Sequence, residues 1–128
     1  MNLLLDTHVF LWYIAGDNRL PKSFEEEISD PDNLVYLSVA SNWEIMIKYG
    51  LGKLTLPESP ETYIPKYRKL HRIESLPVTE SSLDHLNSLP SLHRDPFDRV
   101  IISQALSEDL TIVTVDREIL RYKVPVLN

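Results

Sequence analysis

Short apolar runs alternate along this chain with longer segments in which apolar positions recur every three or four residues. The short runs are typical of buried parallel strands, and the longer segments are typical of amphipathic helices. We predict strands at residues 2–5, 34–37, 73–78, 111–115 and 124–127. Helices are predicted at 7–13, 21–29, 60–70, 79–89 and 96–107, with a further helix that begins at Ser38 or Ser41 and ends at Gly50. Strands that alternate with helices indicate the α/β class, with a largely parallel sheet between helices.

Several polar residues mark where these helices begin. Asp95 stands directly before Pro96, and an acidic N-cap followed by a first-turn proline is a strong helix start. Thr79 and Ser82 are predicted to open the helix through residue 89, in which Leu83 and Leu86 are spaced for one buried face. No repeat or linker divides the chain, so we expect one domain over residues 1–128.

The composition narrows the class of protein. The chain has 128 residues and no cysteine, which excludes disulfides and thiolate metal sites and is compatible with a reducing cytosol. It contains no apolar run of roughly 20 residues, the length a membrane span needs, and its first residues lack the basic start of a secretion signal. We therefore expect a cytoplasmic protein that does not enter the membrane.

The charge is unevenly distributed. The net charge of −6 argues against general affinity for nucleic acid, which needs clustered basic residues. The segment from Lys48 to Arg72 nevertheless carries six basic and two acidic residues. Either this segment is a basic rim beside an acidic pocket, or it is a solvated helix face rich in lysine.

Four acidic residues lie at strand ends or helix starts: Asp6, Glu44, Asp98 and Asp116. Active sites of α/β proteins are built at the carboxyl ends of the strands, so these side chains are expected to converge at one edge of the sheet. Their mutual repulsion would cost stability without a cation. Oxygen ligands without cysteine favour Mg²⁺ or Mn²⁺ over zinc.

Each acid also has a purely structural interpretation. Asp6 and Asp116 are each placed to cap a helix that follows a strand. Glu44 follows Ser41 by three residues, which is a capping-box spacing, and Lys48 one turn later could pair with it.

Asp95 and Asp98 differ in how well a structural role explains them. Capping accounts well for Asp95 and leaves Asp98 free to act as a ligand. The four histidines show no zinc-type spacing, and His8 and His93, although near the predicted site, are expected to have structural or rim roles.

Four motifs occur in order along nearly the whole chain: Leu4-Leu5-Asp6-Thr7-His8; Ser41-Asn42-Trp43-Glu44-Ile45 with Lys48 and Gly52-Lys53-Leu54; His93-Arg94-Asp95-Pro96-Phe97-Asp98-Arg99 through Gln104-Ala105; and Thr114-Val115-Asp116. Together they resemble the PIN-domain ribonucleases, and more narrowly the VapC-type toxins of bacterial type II toxin–antitoxin systems. The resemblance implies a three-layer sandwich and an acidic pocket that binds Mg²⁺ or Mn²⁺. It also implies endonucleolytic cleavage of RNA, a homodimer and a cognate antitoxin that inhibits the nuclease.

The resemblance also implies roles for individual residues. Asp6, Glu44, Asp98 and Asp116 would be the metal ligands and catalytic acids. Asp95 would be an additional acid beside them, and Thr7 and Thr114 would orient the ligands. Lys48, Lys53, Arg94 and Arg99 would contact the RNA backbone.

Two rival interpretations belong to other functional classes. A phosphorylated receiver domain shares the α/β class, the length and an acidic Mg²⁺ pocket, but it expects adjacent acids after the first strand and a lysine after a late strand. Here Asp6 stands alone, and Asp116 occupies the late position. A catalytically inactive PIN scaffold would usually have lost one of the acids. Phosphate transfer to Asp6 would identify the receiver, and a purely structural cluster of acids would show no dependence on metal.

Overall fold

A five-stranded parallel sheet forms the centre of the computed structural model, which describes residues 1–127. The strands are β1 (Asn2–Leu5), β2 (Leu34–Ser38), β3 (Ile73–Leu76), β4 (Thr111–Val113) and β5 (Val126–Leu127), in the order β3-β2-β1-β4-β5. All neighbouring strands pair in parallel. The predicted α/β class and parallel sheet are therefore confirmed.

Helices cover both faces of this sheet. They are α1 (Thr7–Ala15), α2 (Lys22–Ser29), α3 (Val39–Gly50), α4 (Pro60–Leu70), α5 (Pro96–Glu108) and α6 (Arg117–Leu120). The first five match predicted helices to within two residues at most ends, and Ser38 rather than Ser41 caps α3. No bounds were predicted for the short α6, although Asp116 was interpreted as the cap of a helix at this place.

The side chains of β1 show why the fold has three layers. Leu3 and Leu5 point into one core with residues from α1 to α4, whereas Leu4 points into a second core with residues from α5. All three leucines are fully buried. Each such burial stabilises the fold by about 1.5–3 kcal/mol, and a strand with apolar residues on both faces is stable only between two layers of helices.

The strand order creates a switch point between β1 and β4. From β1 the chain builds β2 and β3 on one side, then returns to place β4 and β5 on the other. Leu5 pairs with Val113, so the residues that follow these two strands leave the sheet side by side. In open parallel sheets the crevice outside such a switch point is where ligands bind.

The prediction of a helix at residues 79–89 was wrong. This segment forms two short 3₁₀ turns, Ser81–Leu83 and Leu86–Ser88. The carbonyls of Ser81 and Ser82 accept hydrogen bonds from the hydroxyls of Ser107 and Ser103 in α5, and the Ser81 carbonyl also accepts the Asp84 N–H at 3.3 Å. Tertiary contacts with α5 therefore accompany short turns in place of a continuous helix.

Three strands are shorter than predicted. β3 ends at Leu76, β4 ends at Val113 and β5 begins at Val126. Directly after β4, the Thr114 hydroxyl accepts the Asp116 N–H at 2.9 Å and so turns the chain into α6. Among residues 1–127, no helix combines the length and the apolar character that crossing a bilayer requires.

Candidate metal centre

Asp6 lies at the carboxyl end of β1 and caps α1. Its Oδ1 accepts the Thr7 N–H at 2.8 Å, and its Oδ2 accepts the Thr114 hydroxyl at 2.8 Å. The predicted capping role is thus real, but the side chain is only 4% exposed and also faces the end of β4. Burial raises the pKa of Asp6, and the charge on Asp116 raises it further.

Asp116 lies across the switch point from Asp6. Its Oδ1 accepts the Glu118 N–H at 2.9 Å and so caps α6. The side chain remains partly exposed. Since one carboxylate oxygen completes the cap, the other remains for a ligand in the crevice.

Glu44 enters the site from α3. The Thr7 hydroxyl donates to its Oε1 at 2.7 Å, and Ser41 Oγ lies 2.9 Å from the same hydroxyl. The Lys48 ammonium forms an ion pair with Oε2. Glu44 is 3% exposed, so it is a buried carboxylate that a hydroxyl and a cation hold in place.

Asp95 and Asp98 separate as their sequence context predicted. Asp95 caps α5, since its Oδ1 accepts the N–H groups of Phe97 and Asp98. The Asp98 side chain points away into the site and is buried there. Burial raises the pKa of Asp98 to about 7, with further increases from the charges on Asp6, Asp95 and Glu44.

The charges that act on Asp98 show that the carboxylates share one pocket. Acids from the end of β1, from the middle of α3 and from the start of α5 repel one another across a buried space. Such crowding is unfavourable unless protons or cations offset it. The donor set is oxygen-rich and contains no thiolate, which fits a divalent cation of the Mg²⁺ or Mn²⁺ type.

His93 was missed as a member of this site. Its Nε2 lies 2.7 Å from Asp98 Oδ2. One donor atom from each of His93, Asp98 and Asp116 lies within 4.8 Å of the other two, a spacing that can hold a metal ion. Asp6 and Glu44 lie close to this group, since the charges on both raise the pKa of Asp98.

The basic residues predicted to contact RNA fall into two classes. Lys48 pairs with Glu44, and the Arg99 guanidinium donates to the carbonyls of Leu86 and Pro90. Lys53 and Arg94 are exposed. The first two thus have structural partners, while the other two extend into solvent.

A statistical model of the PIN domain matches residues 3–125. The chain belongs to the PIN domain family. This membership excludes the receiver interpretation and confirms the resemblance on which the family prediction rested. The three-layer arrangement is that of a PIN domain.

Known proteins similar to this PIN domain carry related names. Ribonuclease VapC22 of Mycobacterium tuberculosis is 27% identical over 96% of this chain and 93% of its own length. Ribonuclease VapC16 of the same organism is 39% identical over 61 residues, which span 48% of this chain but only 40% of that relative.

A solved structure shares the fold of this PIN domain. It is a crystal structure of VapBC2 from Rickettsia felis bound to a DNA fragment from its promoter, with a TM-score of 0.74 and 21% identity. The match covers 100% of this chain and 98% of the other.

Proposed function

We propose that this PIN domain is a metal-dependent endoribonuclease and the toxin of a type II toxin–antitoxin pair. In this proposal it hydrolyses phosphodiester bonds of RNA in the cytoplasm with Mg²⁺ or Mn²⁺ and is inhibited by a cognate antitoxin. The observation that carries the proposal is the buried group of carboxylates at the β1–β4 switch point, where crowding and burial raise the pKa of Asp98 to about 7. The names of the VapC relatives agree with it.

In the proposed site, Asp6, Glu44, Asp98 and Asp116 hold the cation and position the attacking water. A bound divalent cation supplies a water of lowered pKa and offsets charge that develops on the phosphate. The Thr114 hydroxyl fixes the carboxylate of Asp6 at 2.8 Å. Asp95 orients the start of α5 and adds negative charge beside Asp98.

The Thr7 hydroxyl and the Lys48 ammonium both fix Glu44. Thr7 donates to Oε1 at 2.7 Å, and Lys48 binds Oε2. The carboxylate therefore has a set orientation before any ligand arrives, which reduces the reorganisation that binding requires.

We propose that Arg94 and Lys53 bind the RNA backbone. Both are exposed, and Arg94 lies in the loop directly before α5, beside the acidic pocket. Cationic side chains next to an acidic centre would hold the phosphates that the carboxylates repel. RNA shape and unpaired bases would then decide the target.

An exposed apolar strip on α3 supports a protein partner. Trp43 is 62% exposed and Leu51, which directly follows the helix, is 64% exposed, with Met46 and Ile47 also exposed. On α1, Trp12 and Tyr13 are partly buried, and Ile14 belongs to the core. We propose that the α3 strip binds the antitoxin or a second copy of this chain in a homodimer.

The nuclease activity is tested by incubating a pool of tRNA, rRNA and mRNA with the purified protein and Mg²⁺, Mn²⁺ or EDTA. Asp6→Asn and Asp98→Asn are compared with Asp32→Asn, an exposed acid in the α2–β2 turn. We expect discrete, metal-dependent products from the wild type and from Asp32→Asn, and none from the two site variants.

Two results would contradict the proposal. Equal cleavage by Asp6→Asn and Asp98→Asn would show that the products come from another nuclease. No cleavage by folded, metal-bound, antitoxin-free protein would instead favour the inactive scaffold.

A further inference from the structure

His93 lies in a loop but is held firmly by the protein. Its backbone N–H donates to the Tyr122 hydroxyl at 2.9 Å. Tyr122 is 5% exposed, and its hydroxyl also accepts the Arg99 guanidinium at 3.1 Å. The Arg99 guanidinium in turn donates to the Pro90 carbonyl at 3.0 Å. Hydrogen bonds from Arg99 and to Tyr122 thus hold the loop before α5 at Pro90 and at His93.

The imidazole of His93 faces two carboxylates from different elements. Nε2 lies 2.7 Å from Asp98 Oδ2 at the start of α5. Asp116, which follows β4, has a carboxylate oxygen within 4.8 Å of the other two donors. A histidine whose only role was to orient Asp98 would need the contact with Asp98 alone. Here donor atoms from three separate segments of the chain converge, which is the arrangement of a coordination site.

We propose that His93 is a nitrogen ligand of the divalent cation in this PIN domain and makes the centre a mixed His–carboxylate site selective for Mn²⁺ or a related first-row ion over Mg²⁺. This inference rests on the proposed metal-dependent function. It adds His93 as a ligand and names the class of metal ion that the centre prefers.

The selectivity follows from the chemistry of the donors. Mg²⁺ is a hard cation that prefers oxygen and gives up its water reluctantly. Imidazole suits first-row transition ions, and carboxylates accept both classes. Replacing one oxygen position by the nitrogen of His93 therefore weakens the site for Mg²⁺ relative to Mn²⁺.

The direct test is pulsed electron paramagnetic resonance of Mn²⁺ bound to the purified protein. A coordinated imidazole nitrogen modulates the electron spin echo, and labelling the histidines with ¹⁵N changes the modulation frequency. We expect this nitrogen signal in the wild type and its loss in His93→Gln. His8→Gln is the matched control, since His8 lies near Asp6 and lowers its pKa but is outside the three-donor group.

Calorimetric titration gives a second, independent measurement. We expect His93→Gln to bind Mn²⁺ at least about tenfold more weakly and Mg²⁺ with little change, because only the nitrogen donor is lost. His8→Gln is expected to leave both affinities unchanged. A circular dichroism spectrum and a thermal unfolding curve of each variant establish that it is folded.

Three outcomes would overturn the inference. They are a Mn²⁺ spectrum without nitrogen modulation, a signal that persists in His93→Gln but vanishes in His8→Gln, and a failure of Mn²⁺ to bind at all. The nuclease proposal fails separately, since nitrogen-coordinated Mn²⁺ without RNA cleavage would leave the ligand assignment standing. RNA cleavage by protein whose bound Mn²⁺ shows no nitrogen signal would support the nuclease proposal and overturn the assignment of His93 as a ligand.

Discussion

The Thr114 hydroxyl donates a 2.8 Å hydrogen bond to Asp6 Oδ2 and so joins two residues that are 108 positions apart in the chain. Both side chains are buried, and each directly follows a strand at the switch point. The same hydroxyl accepts the Asp116 N–H at 2.9 Å. One threonine therefore connects two of the acids that the proposed centre requires.

Thr114→Val is expected to lower the free energy of unfolding by about 1–3 kcal/mol, because Asp6 loses a buried hydrogen bond and the Asp116 amide loses its acceptor. Urea unfolding measures this cost. Thr114→Ser, which keeps the hydroxyl, and Thr111→Val, at the start of the preceding strand β4, are expected to lower the free energy of unfolding by less. A Thr111→Val variant that lost as much stability as Thr114→Val would show that β-strand packing, and not this hydrogen bond, is responsible.

Lys48→Met is expected to destabilise the protein by about 1 kcal/mol and to weaken metal binding, since Glu44 is left as a buried carboxylate without its cation. The estimate is modest because Lys48 itself is about one third exposed. Lys66→Met is the matched control, since Lys66 forms an exposed ion pair with Glu58 at 3.1 Å. If Lys48→Met and Lys66→Met lowered the free energy of unfolding in urea by the same amount, the ion pair with Lys48 would not be what stabilises the buried Glu44 carboxylate.

The metal-free protein is expected to become less stable as the pH rises through neutrality. Burial raises the pKa of Asp98 to about 7, so this carboxyl group holds a proton in the folded protein at pH values where the unfolded chain has lost it. This contribution is complete below the unfolded pKa of a carboxyl group and is lost as the pH passes the folded value. We expect a loss on the order of 2 kcal/mol between about pH 5.5 and 8.5.

Chemical unfolding at both pH values, with and without Mn²⁺, checks this dependence. Asp98→Asn is expected to remove most of it, because asparagine cannot ionise. Saturating Mn²⁺ is expected to stabilise the protein more at the higher pH. A metal-free stability that rose over this interval in the wild type would contradict the assignment.

Arg99→Ala and Arg94→Ala are expected to separate structural from RNA-binding roles. Loss of the Arg99 guanidinium removes hydrogen bonds to Leu86, Pro90 and Tyr122, and we expect about 1–2 kcal/mol of destabilisation with faster hydrogen exchange at the His93 amide. Arg94→Ala is expected to change stability by less than about 0.5 kcal/mol and to weaken RNA binding. Hydrogen exchange and RNA titrations at several salt concentrations measure the two effects. Unchanged salt dependence in Arg94→Ala would exclude it as a phosphate contact.

The sequence predicted most of this fold because local signals and tertiary contacts agree in most elements. In β1 and at the Asp95-Pro96 helix start, the local sequence signals agree with the structure of the folded chain. In the segment around Ser81 and Ser82 they do not, since its carbonyls bind hydroxyls of α5 that lie more than twenty residues later. Its apolar spacing favoured a helix, and only the folded chain shows the competing partners.

The residues of the proposed site also divide into those with a local sequence signal and those without one. Asp6 and Asp116 were recognised because they follow strands, and Asp98 because Asp95 already explained the helix cap. His93 has no such local signal. Its position depends on the Tyr122 hydroxyl, 29 residues away, and on the path of a loop without regular structure.

The pairing of β1 with β4 has a consequence for how the protein matures during its synthesis. β1 is synthesised before its partner Thr111–Val113 and before the acid at 116, with β2 and β3 between them in the chain. A nascent chain that stops before Asp116 has Asp6 and Glu44 but cannot close the β1–β4 crevice around them. Because this pairing joins segments that are far apart in the chain, the pocket exists only after a long-range contact has formed.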